Sequence, residues 1–207
     1  MQKNLKRCLW ATDDPLMVMY HDREWGLPLH DDRKLFEFLV LEGAQAGLSW
    51  AIVLRKRQDF RKAFHGFDPA AVARYTEKDV QRLLRNAGII RNRSKIEAAI
   101  SNAKQFLSIR EEFGTFDAYI WQFTGNKPLQ HKFKHTTEIP VVSDESCAMS
   151  RDLKKRGFKF VGATICYAFM QAVGMVNDHV IDCFRSREVR SLRHLARRPR
   201  TTGKIQR

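Results

Sequence analysis

Two pairs of residues, one near each end of the chain, have side chains that bind transition metals. Cys8 and His21 lie near the N-terminus, and His179 and Cys183 are four positions apart near the C-terminus. If His179 and Cys183 shared a helix, this spacing would place both on one face, where one ion could take a nitrogen and a sulfur. Cys8 and His21 could complete a closed, structural tetrahedral site. Spacing alone leaves open the commoner alternative of buried cysteines and hydrogen-bonded histidines.

The other cysteines and histidines show no comparable pairing. Cys147 and Cys166 fall in segments with a helical pattern and are expected to be small buried side chains. Because we find no secretory signal, we expect reduced thiols or metal ligands rather than disulfides. The remaining histidines are expected on the surface or in the core: His30, His65, His131, His135 and His194.

Glu42 and a set of aromatic residues predict a ligand pocket. Glu42 lies inside an apolar helical run, and a buried acid is costly unless it meets a partner. Trp10, Tyr20 and Trp25 cluster upstream, and Trp50 follows downstream. An aromatic cage with a carboxylate suits a flat cationic ligand, such as a nucleobase alkylated at a ring nitrogen. The alternative is that the aromatic side chains belong to the core and that Glu42 pairs with an arginine.

The segment 157–162 has the pattern of a turn that binds a nucleic-acid backbone. Gly157 and Gly162 bracket a short apolar stretch between two helical segments, so that one helix can reverse into the next. Backbone N–H groups at the start of the second helix could then bind a phosphate, assisted by Lys159. Such a hairpin contacts the DNA backbone without reading its sequence. An ordinary helix–helix turn, packed by Phe158 and Phe160, fits the same pattern.

The charge balance favours a polyanionic partner. The chain has 207 residues, 43% of them hydrophobic, and its 37 Lys and Arg against 23 Asp and Glu give a net charge of +14. Nine basic residues and one acidic residue lie in the segment 185–207. This segment is either a solvated, partly disordered extension or an arm that follows phosphates. No apolar stretch is long enough for a membrane helix, so we expect no membrane partner and a cytoplasmic, unprocessed protein.

The elements that must position these residues are helical. Apolar residues recur every three or four positions from Asp31 onward, and a break near Gly47 predicts two consecutive helices. Further helices are predicted after Thr76, through a long amphipathic run that follows it, and after Ser143. The stretch 125–142 contains two prolines and predicts a loop.

Several blocks of this sequence together resemble the DNA-3-methyladenine glycosylase I family. The resemblance extends from about Arg7 to Cys183, nearly the whole predicted folded region. The blocks are RC-x-W at 7–10, DPL at 14–16, YHD-x-EWG at 20–26, LEG-x-QAGLSW at 41–50, AGIIR at 87–91, KKRGFKFVG at 154–162 and VNDHV at 176–180.

The resemblance implies an all-α, helix-hairpin-helix DNA glycosylase fold with one structural zinc ion joining the N- and C-terminal segments. We expect residues 1–184 to form this single helical unit of two packed lobes, with a basic tail over residues 185–207, and we expect a monomer. The residues that match the family's zinc ligands are Cys8, His21, His179 and Cys183.

The resemblance also implies roles in the pocket and at the DNA. Glu42 and Tyr20 would hydrogen-bond the base that is flipped out of double-stranded DNA, while Trp50 stacks on it. Gly47 and Leu48 would approach the gap left in the duplex. The other base-pocket residues are Met17, Trp10 and Trp25, and the other DNA-contact residues are Gly157, Lys159 and Gly162.

This sequence departs from related patterns at two positions. The family commonly has a second tyrosine three residues before the position of Tyr20, where this chain has Met17. A thioether can pack on a base but lacks the hydroxyl group and the π face. Many members of the wider superfamily have an aspartate that assists attack at the sugar, where this chain has Asn177. The basic tail lies outside the resemblance altogether.

The resulting prediction is a monofunctional glycosylase, with Glu42 as the catalytic group. It would flip an alkylated nucleotide out of the duplex, hydrolyse its N-glycosidic bond and release free 3-methyladenine, leaving an abasic site that initiates base excision repair. Two other classes remain open: a non-catalytic, zinc-stabilised module that senses damaged DNA, and an RNA-binding protein recruited by its tail. Convergence of Glu42, Tyr20 and Trp50 would favour the enzyme, because a pure binder does not need it.

Overall fold

Ten α-helices make up most of the part of the chain described by the structure, a computed structural model covering residues 5–11 and 13–191. The predicted all-α class is confirmed, since the two strands within this part are only two residues long each. The helices are α1 (Pro15–Arg23), α2 (Asp32–Gln45), α3 (Trp50–Ala63), α4 (Pro69–Ala73), α5 (Glu77–Arg85), α6 (Arg93–Phe113), α7 (Phe116–Trp121), α8 (Asp144–Lys155), α9 (Ala163–Ala172) and α10 (Phe184–Ser191).

Helices α2 and α3 meet at the predicted break. Helix α2 begins after Asp31, whose carboxylate accepts a hydrogen bond from a backbone N–H of the first turn. Gly47 has a φ of +78°, a left-handed conformation that favours glycine and ends the helical path. The Lys95 ammonium, on α6, donates hydrogen bonds to the carbonyl oxygens of Ala44 and Ala46 at 2.8 and 2.7 Å. The connection that bears Gly47 is therefore held against α6.

Helix α2 lies at the centre of the fold. Its residues 35–44 are all buried, and it packs against α3, α6, α7 and α9. Two of those buried residues are acidic. The guanidinium groups of Arg57 and Arg61 bind the Glu37 carboxylate and offset the cost of burying it. Glu42 has no such partner among the described residues.

The other predicted helices are confirmed. Helix α5 begins after Thr76, whose N–H donates a hydrogen bond to the Asp79 carboxylate at 3.0 Å. Helix α6 is the long amphipathic run and buries one apolar face along its 21 residues. Helix α8 begins after Ser143, and Gly157, with a φ of +89°, turns the chain just beyond its end.

The stretch 125–142 is largely irregular, as predicted. Strand β1 (Leu129–Gln130) pairs in parallel with β2 (Val176–Asn177), which follows α9. The rest of the stretch has one short 3₁₀ turn, Thr136–Glu138. The strand pair thus anchors a long loop, named here the wall loop (residues 131–142), to the segment that follows α9.

Helix α10 brings the start of the predicted basic tail into the fold. Val189 is only 1% exposed, and the N–H of Phe184 donates a hydrogen bond to the carbonyl oxygen of Lys6 at 2.9 Å. Residues 185–191 are therefore a packed helix, which contradicts their expectation as a solvated extension. The rest of the tail, including His194, lies outside the described residues. No described helix is both long enough and apolar enough to cross a membrane.

Candidate functional site

Cys8, His21, His179 and Cys183 form one buried cluster, as predicted. Their candidate ligand atoms all lie within 4.8 Å of one another. Cys183 Sγ is 3.4 Å from His21 Nε2 and 3.6 Å from His179 Nδ1, and Cys8 Sγ is 3.7 Å from His179 Nδ1. Metal–sulfur bonds of about 2.3 Å and metal–nitrogen bonds of about 2.0 Å place sulfur and nitrogen roughly 3.5 Å apart on a tetrahedron. The four side chains therefore fit a tetrahedral metal ion.

The outer ring nitrogens of both histidines have partners of their own. His21 Nδ1 lies 2.8 Å from the Asp22 carboxylate, which Arg7 also binds. His179 Nε2 lies 3.2 Å from the carbonyl oxygen of Trp25. Partners of this kind orient each imidazole and leave its other nitrogen to face a metal ion. The cluster thus has the second layer of contacts that is typical of a metal site.

His179 and Cys183 do not share a helix, so their four-residue spacing is not what brings them together. Both residues lie in the turn between β2 and α10, where the Cys183 N–H donates a hydrogen bond to the carbonyl oxygen of Val180 at 2.8 Å. Gly26 allows its own backbone to lie close to the His179 ring, because a Cβ at this position would be only 3.0 Å from His179 Nε2. Hydrogen bonding to Cys8 and to the two imidazoles lowers the pKa of Cys183, which favours the thiolate that binds metals.

The two cysteines outside the cluster lie on α8 and α9. Cys166 is buried, as predicted, and its Sγ lies 3.4 Å from the carbonyl oxygen of Val161. Burial raises the pKa of the Cys166 thiol to about 12, so it stays protonated. Cys147 is only partly buried and is thus more exposed than predicted.

All six predicted pocket residues line one cavity of about 440 Å³. A cavity of this size suits a small planar ligand. Helices α1, α2 and α3 each contribute to its wall, together with the N-terminal 3₁₀ turn Leu9–Ala11. The six residues are Trp10, Met17, Tyr20, Trp25, Glu42 and Trp50.

Glu42 is the polar centre of the cavity. Its side chain is buried, with the residue 4% exposed, and no hydrogen bond or ion pair reaches the carboxylate from the described residues. Burial alone raises the pKa of Glu42 to about 8. The alternative that Glu42 pairs with an arginine is therefore wrong. Arg57, the nearest buried arginine along the chain, binds Glu24 and Glu37 instead.

The aromatic residues form a continuous cage rather than isolated core positions. The rings of Trp10 and Trp25 have centroids 5.0 Å apart and meet edge to face, and those of Tyr20 and Trp50 are 5.4 Å apart. The Trp50 indole nitrogen is buried without a hydrogen-bond partner. Burial and the nearby Glu42 raise the pKa of Tyr20, so its hydroxyl keeps its proton. The cage offers ring faces, a hydroxyl and an indole N–H to a ligand.

Sequence reasoning missed the rest of the cavity wall. The wall loop had no periodicity to mark it, and the contribution of α9 was hidden within an apolar segment. Thr164 and Gln171 were the available signals, since both are polar residues within that apolar helix. The additional lining residues are Gln45, Thr136, Ile139, Pro140, Val141, Thr164, Tyr167, Ala168 and Gln171.

Gly47 and Leu48 lie beside the cavity rather than in it. They form the connection between α2 and α3, and the flanking residues Gln45 and Trp50 both line the cavity. Leu48 is 39% exposed, although it is apolar. No described atom lies within 4 Å of the position that a Cβ on Gly47 would take. An exposed apolar tip thus stands next to the cavity.

The predicted hairpin joins α8 to α9. Asn102, on α6, clamps the turn: its Oδ1 accepts a hydrogen bond from the Lys159 N–H at 2.8 Å, and its Nδ2 donates one to the Lys159 carbonyl oxygen at 2.9 Å. The Lys159 side chain is exposed, whereas Phe158 is buried. Gly162 is the N-cap of α9 and has no side chain to cap the helix, so the first N–H groups need other partners.

Asn177 contributes to packing and lies outside the cavity wall. Its side-chain amide donates hydrogen bonds to Gln130 Oε1 at 2.8 Å and to the carbonyl oxygen of Ser186 at 3.2 Å. No lysine is among the described residues that line the cavity. Glu42 is the one residue with a carboxyl side chain among the described residues of that lining.

Comparisons with known proteins agree with the geometry. Residues 10–186 match the methyladenine glycosylase family. The chain is 51% identical over 179 residues to the DNA-3-methyladenine glycosylase 1 of Escherichia coli strain K12, covering 86% of this chain and 96% of that protein. A crystal structure of a 3-methyladenine DNA glycosylase I, also 51% identical, superposes with a TM-score of 0.85 over 86% of this chain and 98% of its own.

A second solved structure, of a substituted 3-methyladenine DNA glycosylase I in complex with 3-methyladenine, is 36% identical. It superposes with a TM-score of 0.84 over 87% of this chain and 97% of its own. The family match includes every residue that lines the cavity and three members of the Cys/His cluster. This chain therefore belongs to the methyladenine glycosylase family.

Proposed function

We propose that this chain is a DNA-3-methyladenine glycosylase, which hydrolyses the N-glycosidic bond of 3-methyladenine in alkylated double-stranded DNA. The observation that carries this proposal is the unpartnered, buried Glu42 carboxyl group inside an aromatic cavity. Two relatives that are 51% and 46% identical are named as DNA-3-methyladenine glycosylases. The products would be free 3-methyladenine and an abasic site, from which base excision repair proceeds.

The cavity supports a direct role of its side chains in holding the base. A flipped, N3-alkylated adenine is planar and cationic, so it gains from aromatic faces and from a carboxylate. Glu42 and Tyr20 would hydrogen-bond the base and Trp50 would stack on it, with the Trp50 indole N–H as a further donor. The pKa of Glu42, about 8 before binding, would fall when the cationic base arrives, because opposite charge favours the carboxylate.

The chemistry then depends on the lability of the bond. Water adds its oxygen to C1′ of the sugar and loses a proton to solution, while the C1′–N9 bond breaks. The departing ring takes the bonding electron pair and becomes neutral, so no strong acid is required. No lysine lines the described cavity, which supports a monofunctional hydrolase without a Schiff base. Glu42 would act on the base through charge and hydrogen bonding and could also orient the water.

Two exposed elements would hold the DNA. Leu48, next to the cavity and exposed despite being apolar, suits the gap that a flipped nucleotide leaves in the stack. The hairpin at Gly157 and Gly162 presents backbone N–H groups at the start of α9, with Lys159 beside them. Phosphate binding there would position the duplex without reading its sequence.

The metal that best fits the buried cluster is zinc. Two thiolates and two imidazoles at tetrahedral spacing are a typical structural zinc set. Cys8, His21, His179 and Cys183 would fill all four positions, so the ion would cross-link the N-terminal segment to the C-terminal one. Catalysis is therefore assigned to the cavity and not to the cluster.

The test is a base-release assay on duplex DNA treated with a methylating agent. Wild-type protein should release free 3-methyladenine, and Glu42→Gln should reduce the single-turnover rate about 10- to 100-fold, the loss of roughly 1.4–2.7 kcal/mol of stabilisation. Glu111→Gln, an exposed acid on α6 outside the cavity, is the matched control and should release base at the wild-type rate. An unchanged rate for Glu42→Gln would contradict the role of Glu42.

The same assay separates the enzyme from the other two classes. Binding of methylated DNA with no released base would identify a non-catalytic damage sensor. Deletion of the residues after Ser191 should leave base release intact, because every described residue that lines the cavity precedes α10. If that deletion instead abolished all nucleic-acid binding, the interaction would belong to the tail.

A further inference from the structure

A third buried carboxylate, Asp178, lies behind the cavity wall and has three side-chain partners. It accepts hydrogen bonds from the Tyr167 hydroxyl at 2.8 Å and from Gln171 Nε2 at 2.7 Å, and its other oxygen lies 2.6 Å from His131 Nδ1. Asp178 is 1% exposed and does not itself line the cavity. Because both of its carboxyl oxygens have hydrogen-bond partners within the protein, Asp178 is a satisfied buried group.

Two partners of Asp178 are part of the cavity wall. Tyr167 and Gln171 lie one turn apart on α9, and both line the cavity. The hydrogen bond to Asp178 fixes the Gln171 amide with its nitrogen turned toward the carboxylate. The amide oxygen is then the end left to accept a hydrogen bond from a ligand, such as the exocyclic amino group of a purine. The Tyr167 hydroxyl is likewise committed, so Tyr167 meets a ligand with its ring.

The third partner of Asp178 belongs to a different part of the wall. His131 begins the wall loop, and its N–H donates a hydrogen bond to the carbonyl oxygen of Asn177 at 3.3 Å. The Ile181 N–H donates another to the carbonyl oxygen of Phe133 at 2.9 Å. The wall loop residues that line the cavity are Thr136, Ile139, Pro140 and Val141.

The His131 contact with Asp178 links that loop to α9, because Asp178 in turn binds Tyr167 and Gln171 on the helix. Hydrogen bonding to Asp178 raises the pKa of His131, as expected for an imidazole beside a carboxylate. Thr136 Oγ1 is buried without a hydrogen-bond partner, so the loop brings a free hydroxyl group to the wall. Loss of the link would remove this side-chain anchor and leave the backbone hydrogen bonds near the start of the loop and the packing of Ile139 against the core.

We propose that Asp178 is a positioning residue for capture of the base. Its carboxylate orients Tyr167 and Gln171 on α9 and, through His131, fastens the wall loop that completes the cavity. The proposal rests on the proposed function for the identity of the ligand. It assigns recognition of the base to a second face of the cavity, in addition to the face formed by α1, α2 and α3.

The experiment uses variants at residues outside the Cys/His cluster, because Asp178 itself is next in the chain to the cluster residue His179. His131→Ala and Tyr167→Phe each remove one contact of Asp178, and Tyr167→Phe keeps the ring that lines the cavity. The readouts are the Kd for free 3-methyladenine, from quenching of tryptophan fluorescence, and the single-turnover rate on methylated DNA. Each variant should weaken base binding about fivefold, the effect of one lost hydrogen bond. Metal content and unfolding temperature, measured alongside, should stay close to wild type.

The matched control is His30→Ala. His30 Nδ1 lies 2.8 Å from the Asp117 carboxylate, so this variant removes another His–Asp contact, but neither residue lines the cavity. His30→Ala should bind and excise 3-methyladenine as wild type does. The double variant of His131→Ala with Tyr167→Phe should show an effect that is not the sum of the two, since both act through one carboxylate.

The possible outcomes separate this proposal from the proposed function. Wild-type base affinity in both His131→Ala and Tyr167→Phe would overturn the positioning role of Asp178, while base release by the wild type would still support the glycosylase. Weakened affinity for free 3-methyladenine in both variants, with no base release by the wild type, would support the positioning role and refute the glycosylase. If His30→Ala lost as much affinity for free 3-methyladenine as His131→Ala and Tyr167→Phe do, the effect would be general destabilisation, and the positioning role would again be refuted.

Discussion

The Cys/His cluster and the aromatic cavity are neighbouring regions that differ in whether their buried polar groups have partners within the protein. Trp25 belongs to both, since its side chain lines the cavity while its carbonyl oxygen lies 3.2 Å from His179 Nε2. In the cluster each imidazole has an outer partner, and the four ligand atoms face one another. In the cavity wall, Glu42, Trp50 Nε1 and Thr136 Oγ1 lack partners within the described chain.

This difference distinguishes a structural role from a binding role. Buried polar groups are costly when unpaired, so a protein retains them where another molecule supplies the partner. The cluster directs its four ligand atoms at one another, an arrangement that could hold a metal ion. The cavity keeps buried hydrogen-bonding groups unpaired, which costs stability but prepares them for a base. The cluster also fixes α1 through His21, and the adjacent Tyr20 is thereby held in the cavity wall.

Breaking the cluster should give the largest effect on stability. Cys8→Ser removes one of the four ligands, and structural zinc contributes on the order of 10 kcal/mol to folding in small zinc proteins. We expect loss of bound metal and a fall of more than about 10 °C in the unfolding temperature, at roughly 2–4 °C per kcal/mol for a chain of this size. Metal analysis and thermal unfolding followed by circular dichroism measure the two changes.

Cys147→Ser is the matched control for the cluster. Cys147 is partly buried and lies outside the Cys/His cluster, so its substitution should leave metal content and unfolding temperature near wild type. If Cys8→Ser kept one equivalent of metal and unfolded like Cys147→Ser, the cluster would not be a structural metal site.

Replacing Glu42 with the neutral residue glutamine should stabilise the fold, and the gain should depend on pH because the cost of burying Glu42 arises only when it is charged. Burial raises the pKa of Glu42 from 4.5 to about 8 in the folded state. A group whose folded pKa is raised in this way favours folding at low pH, and that contribution is lost as pH rises from about 4.5 to 8. Near pH 4 the free energy of unfolding of Glu42→Gln, measured in urea, should therefore match that of wild type. Above pH 8 it should be higher by a few kcal/mol, on the order of 1.4 kcal/mol per pKa unit.

Glu37→Gln sharpens the contrast between the two buried acids of α2. Glu37 is as buried as Glu42 but is bound by Arg57 and Arg61, so its neutralisation leaves a buried arginine short of a partner. The free energy of unfolding of this variant should fall by roughly 3 kcal/mol at neutral pH, whereas that of Glu42→Gln should rise. If both variants lost stability at pH 8.5, Glu42 would not be a group kept unpaired for a ligand.

The sequence predicted what depends on local periodicity and on residue type. The break at Gly47 and the caps of α2 and α8 follow from short-range pattern. Ligand chemistry indicated that Cys8 and His21 could join one cluster, and the family resemblance supplied the rest of that prediction. Five of the six pocket residues were identified because an acid within an apolar helix and a concentration of aromatic residues are unusual, and Met17 was identified only through the family resemblance. These features are visible without knowledge of how the chain folds back on itself.

What the sequence could not predict depends on contacts between distant segments. His179 and Cys183 meet in a turn rather than on a helix, because strand pairing with β1 extends the chain just before them. His131 lies 47 positions from Asp178, and nothing in the spacing of either residue indicates their contact. The wall loop has no periodicity, so its place in the cavity follows only from where its ends are anchored.

The smallest predicted effect concerns Met17, where the cavity lacks a ring that the family commonly has. Met17→Tyr adds an aromatic face and a hydroxyl group to the wall formed by α1, and an aromatic contact of this kind is worth about 0.5–1.5 kcal/mol. We expect the affinity for free 3-methyladenine to rise about two- to tenfold, measured by tryptophan fluorescence quenching. Met19→Tyr, at a position on the same helix that is 45% exposed and outside the cavity, should change nothing. Weaker binding by Met17→Tyr would show instead that the wall loop and α9 have already closed the space beside Met17, so that the thioether is the side chain this cavity requires.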